Sequence, residues 1–460
     1  MTTAVGKDGL PGGLRPTVPG RAAQRLPGRP FHDIEPEKGG KEPKKVILRA
    51  RIVWPVCRPP IEDGAVVISG NRIAAVGSWP EIKAHAAESS VDLGAVILMP
   101  GLVNAHCHLD YTGMNGLPAP QKFTDWIQSL FALKAGMSYS DYASAWLAGA
   151  SMLARTGSTT VADIEAVPEL LPEVWSGTPL RVASFLEMTG VKSGRAPAAI
   201  LGEAAAKIDS LKPRRGFAGL SPHALYSTSA PLLEETARLA RQRNWRVTMH
   251  LAESAEEFEM FAHRRGAMFD WLAPQRRMTD CGLGTPLAQA ERCGLLGLGG
   301  NFLVIHANYL EASDIQALAR SGASVVHCPR SHAYFHHRRF PYEALAAAGV
   351  NVCLGTDSLA SVSPSRRTKP ELNLFAEMRQ FAAEHSGVLP EAIVGMATRN
   401  GARALGWEGR AGELSPGSRA DLVAIAFSGR AAECAAAMVH HTGEVAVSMI
   451  DGEWVARSLE

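Results

Sequence analysis

A chain of 460 residues, 46% of them hydrophobic, can bury a large core and has residues to spare beyond one barrel-sized domain. Lys and Arg outnumber Asp and Glu by 47 to 45, a formal charge of +2 with no dense basic stripe beyond the N-terminal segment, which disfavours nucleic acid as the main partner. Seven cysteines without a Cys-x-x-Cys pair argue against a disulfide framework and point to a reducing, cytoplasmic setting. No apolar stretch reaches membrane-spanning length or reads as a signal peptide, so no membrane partner is expected.

Residues 1–44 combine Gly, Pro and basic residues with almost no aliphatic clusters and are expected as a disordered tail, because they bury too little to offset the entropy of ordering. Strand and hairpin signals follow at 45–53, 65–68 and 72–76, turning around Ser69-Gly70-Asn71. An apolar run then ends in Met99-Pro100-Gly101-Leu102-Val103-Asn104-Ala105-His106-Cys107-His108. Seven more strand candidates lie at 158–163, 180–187, 216–223, 245–250, 302–306, 323–327 and 351–357. Several are apolar without alternation, as strands buried on both faces of a parallel sheet are. Helical spacing separates them: Trp146, Gly149 and Leu153 before Gly157; Leu232, Leu233, Thr236, Leu239 and Ala240 after Pro231; Ile315 and Leu318 before Gly322. Eight strand–helix units in order predict an α/β fold, a (β/α)8 TIM barrel over 98–411 whose active site gathers at the C-terminal strand ends. Strands at 420–427 and 445–455, turning at Asp451-Gly452, match those before the barrel, so 45–97 and 412–460 are expected to combine into one small β-sandwich domain.

The strand ends carry the chemistry. His106 and His108, two apart on an extended strand, share a face and can converge on one metal ion, while Cys107 points away as a small core residue. His250, His306, His327 and Asp357 close later strands with groups able to bind metal or move protons. A lone strand-end histidine also has the plainer role of satisfying a backbone carbonyl; the joint occurrence of these residues favours a site. Glu253, three residues after His250, sits on the loop beyond its strand, and Glu256 and Glu257 are expected as solvated first-turn helix residues. Phe123 and Trp126, three apart on a helix, either wall an aromatic-ring pocket or anchor the core. His223 either contacts substrate or shapes its loop. Glu187 and Asp163 are read as rim hydrogen-bonding groups, and His327, His332 and His337 as exposed or substrate-facing rather than a second metal site.

His106-Cys107-His108, His250-Leu251-Ala252-Glu253, Ile305-His306 and Gly355-Thr356-Asp357-Ser358, with Ala420-Asp421-Leu422-Val423 near the end, resemble the amidohydrolase superfamily over residues 46–457. The similarity is to the branch holding cytosine, guanine and S-adenosylhomocysteine deaminases and the triazine hydrolases. It implies His106, His108, His250 and Asp357 as ligands of one divalent metal, zinc first and iron second, since no lysine lies between 216 and 223 to bridge a second ion. It also implies a mechanism in which Asp357 takes a proton from metal-activated water, His306 orients the attacking oxygen, and Glu253 hands a proton to the substrate nitrogen. The expected reaction is hydrolytic deamination of an amino-substituted purine or related N-heterocycle, with water as co-substrate and His223, Phe123 and Trp126 at the substrate. Asp110-Tyr111, residues 123–127 and residues 328–332 look most like the aminodeoxyfutalosine deaminase subgroup. Amidase, cyclic amidase or triazine-type hydrolysis is the alternative, a catalytically silent scaffold a third reading. A homo-oligomer is implied by family analogy alone.

Overall fold

Gly101 divides two strands that belong to different sheets. The computed structural model describes residues 45–85, 89–115, 117, 122–191, 194–363 and 369–457; the tail expected at 1–44 lies outside them. One sheet holds β1 (Lys45–Val53), β2 (Ile61–Ser69), β3 (Arg72–Ser78), β4 (Ser90–Asp92) and β5 (Val96–Pro100). The other holds β6 (Leu102–Cys107), β7 (Ser158–Glu165), β8 (Arg181–Met188), β9 (Phe217–Pro222), β10 (Val247–Leu251), β11 (Phe302–His306), β12 (Ser324–His327) and β13 (Asn351–Leu354). These eight pair in sequence order, all parallel, and each matches one of the eight predicted strands.

The barrel closes where β13 runs on past its last residue beside β6. The N–H groups of Thr356 and Asp357 donate to His106 O at 2.9 and 3.2 Å, and Asn104 brackets Thr356 by accepting from its N–H and donating to its hydroxyl. Gly355 is required by this approach: a Cβ there would stand 2.8 Å from both His106 Cβ and His106 O. Inside, Val103, Ala105, Ala162, Ile164, Phe185, Leu303 and Ile305 form one cluster drawn from strands on opposite sides, so the lumen is packed rather than open. The outer strand faces, with Val161, Met249 and Val304 among them, pack on helices such as Tyr139–Arg155, Ala230–Arg243 and Ala312–Ser321, where the apolar spacing places helices. Gly322 caps the last of these at φ 75°, the left-handed conformation that glycine adopts without a Cβ penalty.

Both ends of the described chain meet in the smaller sheet. β14 (Leu422–Ala426) pairs antiparallel with β5, then β15 (Val447–Ile450) and β16 (Glu453–Arg457) extend it, giving the order β16-β15-β14-β5-β1-β2-β3 with β4 beside β1. The small domain is thus one hydrogen-bonded sheet that curls over a shared core of Leu48, Val66, Leu98, Leu422 and Met449. The changeover between sheets falls at Gly101, three residues later than the sequence pattern suggests, because the apolar run at 96–100 reads the same for either sheet. Arg181 at the start of β8 ties the barrel to the small domain, bonding Asp421 at 3.0 Å and Asp451 at 2.8 Å with its guanidinium 2% exposed.

Gly355→Ala is expected to cost about 1–3 kcal/mol of unfolding free energy by overpacking the β6–β13 seam, read as a lower denaturant midpoint. An unchanged midpoint would mean that the seam yields freely.

Candidate metal centre and substrate cavity

Strict alternation would not build this site; local departures at the ends of four strands do. In β6 the pairing register shifts between Asn104 and Cys107, so Val103 and Ala105 face the lumen while Cys107 packs outward with Trp146 and Leu153. The irregularity leaves His106 and His108 on the inner side of the rim. In β11, Leu303 and Ile305 face inward and Val304 outward, so His306 would follow Val304 out; instead it turns in its backbone at φ 72°. Asp357 (φ 53°) and Ala252 (φ 53°) are also left-handed without being glycine. Such backbone persists only where the surroundings over-determine it.

The convergence is tight. His108 Nε2 and His250 Nε2 lie 3.1 Å apart, and Asp357 Oδ1 is 3.6 Å from His106 Nε2 and 3.8 Å from His108 Nε2. His106, His108 and Asp357 form one group whose ligand atoms all lie within 4.8 Å of one another, and His106, His250 and His306 form a second. All are buried. Burial pushes the imidazoles of His108, His250 and His306 well below the usual histidine range, leaving neutral rings with lone pairs. Burial opposes ionisation of Asp357, yet the facing His106 and His306 hold its carboxyl well below the ordinary carboxylate range. Its Oδ2 accepts from Ser331 Oγ at 2.6 Å and Ser361 Oγ at 3.0 Å, which leaves Oδ1 facing the rings.

Both ring nitrogens of His106 and Nε2 of His306 are buried without a hydrogen-bond partner. Unpaired buried donors and acceptors are costly, and neutral imidazoles around an ionised carboxylate are a donor set that a divalent cation such as zinc satisfies. The residues present fit a metal ion. Among the described residues no third cluster of this kind occurs. His327 and His332 prove buried rather than exposed: His327 stacks on Phe340 with ring centroids 3.8 Å apart, and His332 Nε2 lies 2.8 Å from Arg338 O.

Glu253 stands beside this cluster on the loop after β10, its Oε1 3.4 Å from His306 Nε2. Burial first, then the charges of Asp357 and Glu257, push its carboxyl well above the usual range. The turn is held by Glu257, which accepts from Glu253 N–H at 2.8 Å, and by Asn308, whose amide donates to Glu253 O at 3.0 Å. Glu256 and Glu257 therefore differ from the solvated residues the helix start suggested. Glu257 is fully buried, and Glu256 receives the N–H groups of Phe123 and Thr124 at the start of helix Phe123–Lys134.

Above the cluster opens a cavity of about 490 Å³. Phe123 and Trp126 line it, their rings 5.7 Å apart and both braced edge-on by Phe335, so they serve as wall and core at once. His223 lines the polar side, with Nδ1 2.7 Å from Ser227 Oγ; burial, then the Lys134 ammonium, hold its pKa near about 3. Asp163 accepts from Leu109 N–H and Trp146 Nε1, a rim role as expected. Sequence reasoning missed Lys134, Tyr226 and Trp271, and it kept Glu187 to the rim although it lines the cavity. Only Glu187, next to last in its strand, had a signal to find.

Residues 97–455 match the amidohydrolase family. A 5-methylthioadenosine/S-adenosylhomocysteine deaminase of Syntrophobacter fumaroxidans is 32% identical over 384 residues, 80% of each chain. An adenosine deaminase from Xanthomonas campestris with bound zinc superposes at TM-score 0.78 and 26% identity, covering 92% of this chain and 95% of that one. A Helicobacter pylori aminofutalosine deaminase in complex with methylthio-coformycin gives TM-score 0.78 at 21% identity, covering 89% and 99%. A match running from β5 through the barrel to β16 makes the conclusion plain: the chain belongs to the amidohydrolase family, as a hydrolase acting on carbon–nitrogen bonds.

Proposed function

We propose that this protein removes the exocyclic amine of a purine-like N-heterocycle by hydrolysis, releasing ammonia, with one divalent metal ion held by His106, His108, His250 and Asp357. Zinc is the first candidate, in keeping with the zinc-bound Xanthomonas relative, and iron the second. The observation that carries this reading is Glu253: a buried carboxyl whose surroundings raise its pKa and favour the protonated form, beside His306 and lining an aromatic-walled cavity. Hydrolysis of an amide asks the same proton of its leaving nitrogen, so it is the aromatic walls of Phe123 and Trp126 beside Glu253 that favour an amino-heterocycle.

A divalent ion bound in this cluster supplies Lewis acidity that brings the pKa of water toward neutrality. The chain's own residues do the rest. Asp357 Oδ1, ionised and unoccupied by the serine hydroxyls, accepts a proton from the attacking water. His306 Nε2, buried and unpaired, orients the attacking oxygen and stabilises charge on the adduct. Glu253 donates its proton to the ring nitrogen, at a place fixed by the loop that Glu257 and Asn308 hold; the proton taken by Asp357 passes to the amine, which leaves as ammonia, and Glu253 recovers a proton from the added hydroxyl as the carbonyl forms. Phe123 and Trp126 stack on the heterocycle and exclude water, and His223 hydrogen-bonds the substrate from the polar side. All seven cysteines are free thiols, which suits a cytoplasmic setting, and among the described residues no helix is long and apolar enough to cross a membrane.

Glu253→Gln is expected to keep its metal, by elemental analysis, and to lose turnover by about 100-fold or more in ammonia release from an aminopurine panel. His250→Ala should lose both metal and turnover. Undiminished turnover in Glu253→Gln would remove the proton-donor role, and acid release from acylated amines without ammonia from aminopurines would replace deamination by amide hydrolysis.

Stability carries a pH signature of the same loop. Burial pushes the Glu257 carboxyl up to about 7 from 4.5, so the folded protein binds this proton more tightly than the unfolded chain. That contribution is present in full below the unfolded value and is lost as pH rises through about 7. Glu257→Gln, uncharged throughout, is expected to make the fall in unfolding free energy between about pH 5 and about pH 8 shallower, measured by denaturant titration across that range.

A further inference from the structure

Deamination chemistry fixes the heterocycle but leaves its substituent open, and the cavity's polar end bears on that. Glu187, next to last in β8, lines the cavity with its side chain 11% exposed. His223 Nε2 stands 3.8 Å from its Oε1, beyond hydrogen-bonding distance, and no donor among the described residues bonds it. Lys134 is the one cation lining this cavity among the described residues; its ammonium bonds the Tyr111 hydroxyl at 2.5 Å and lies over that ring, and no hydrogen bond joins it to Glu187. Glu187 is therefore a half-buried acceptor without a hydrogen-bond donor, lining the space a ligand would fill. A neutral hydroxyl or amide N–H on the ligand supplies the missing hydrogen bonds. A carboxylate or phosphate placed there supplies none and adds like-charge repulsion in a partly water-excluded site.

Resting on the functional reading above, we propose that Glu187 is a specificity-determining residue: it selects amino-heterocycles whose substituent is an uncharged hydrogen-bond donor and disfavours those whose substituent is anionic. No chemical step changes; the discrimination lies in binding.

A matched pair tests it, adenosine 5′-carboxamide against adenosine 5′-carboxylate, equal in shape and different in charge, with free adenine alongside. Metal-loaded wild-type protein is expected to favour the carboxamide in kcat/KM by about 10-fold or more. Glu187→Gln should bring that ratio several-fold closer to one, chiefly by lowering KM for the carboxylate, while Glu187→Asp keeps the preference. A wild-type ratio near one, or an unchanged ratio in Glu187→Gln, overturns the assignment of Glu187 alone. No ammonia from any of the three compounds overturns the functional reading and this inference with it.

Discussion

The hydrogen bonds from Thr356 and Asp357 to His106 O hold the molecule's chemistry together. They join the first barrel strand to the last, across some 250 residues of chain, and they do so at the rim where His106, His108 and Asp357 must meet. Everything else at the site is arranged around that seam: Gly355 makes room for it, Asn104 brackets it, and Ser331 and Ser361 orient the carboxylate that it delivers. The seam turns a linear order of motifs into a ring of ligands, so a fault in it would reach stability and metal affinity together.

Burial is the second constraint. The same enclosure that disfavours charged imidazoles disfavours an ionised Glu253 and leaves Asp357 dependent on its neighbours, so one physical cause sets these groups apart. It also stores cost, in unpaired histidine nitrogens and in left-handed backbone at Ala252, His306 and Asp357. These costs gather where ligand and metal chemistry can relieve them, and the hydrophobic lumen beneath the site supplies a rigid floor.

Much of this was legible from residue order because parallel strands deliver their ends to one rim. Apolar runs at 245–250 and 302–306 announced both the strand and the polar group at its end, and the spacing of Trp146, Gly149 and Leu153 announced the helix between. What alternation alone could not convey was direction. The register shift in β6 and the turned backbone at His306 re-aim side chains that a regular strand would have pointed elsewhere. Glu256 and Glu257 resembled ordinary first-turn acids because propensity is blind to what packs on a helix start; here the Phe123–Lys134 helix and the Ala252–Glu253 turn make them acceptors. Glu187 stood near the end of an apolar strand like several others, and its lack of a hydrogen-bond donor is a fact of three-dimensional surroundings.

The pairing of Met99 with Val423 has a consequence for biogenesis. During vectorial synthesis β5 emerges with one edge open and waits for more than three hundred further residues before β14 arrives to cover it. Until then the nascent polypeptide presents an uncapped apolar ribbon, so maturation of the smaller sheet is a late event that chaperones have time to supervise and that premature truncation would forfeit.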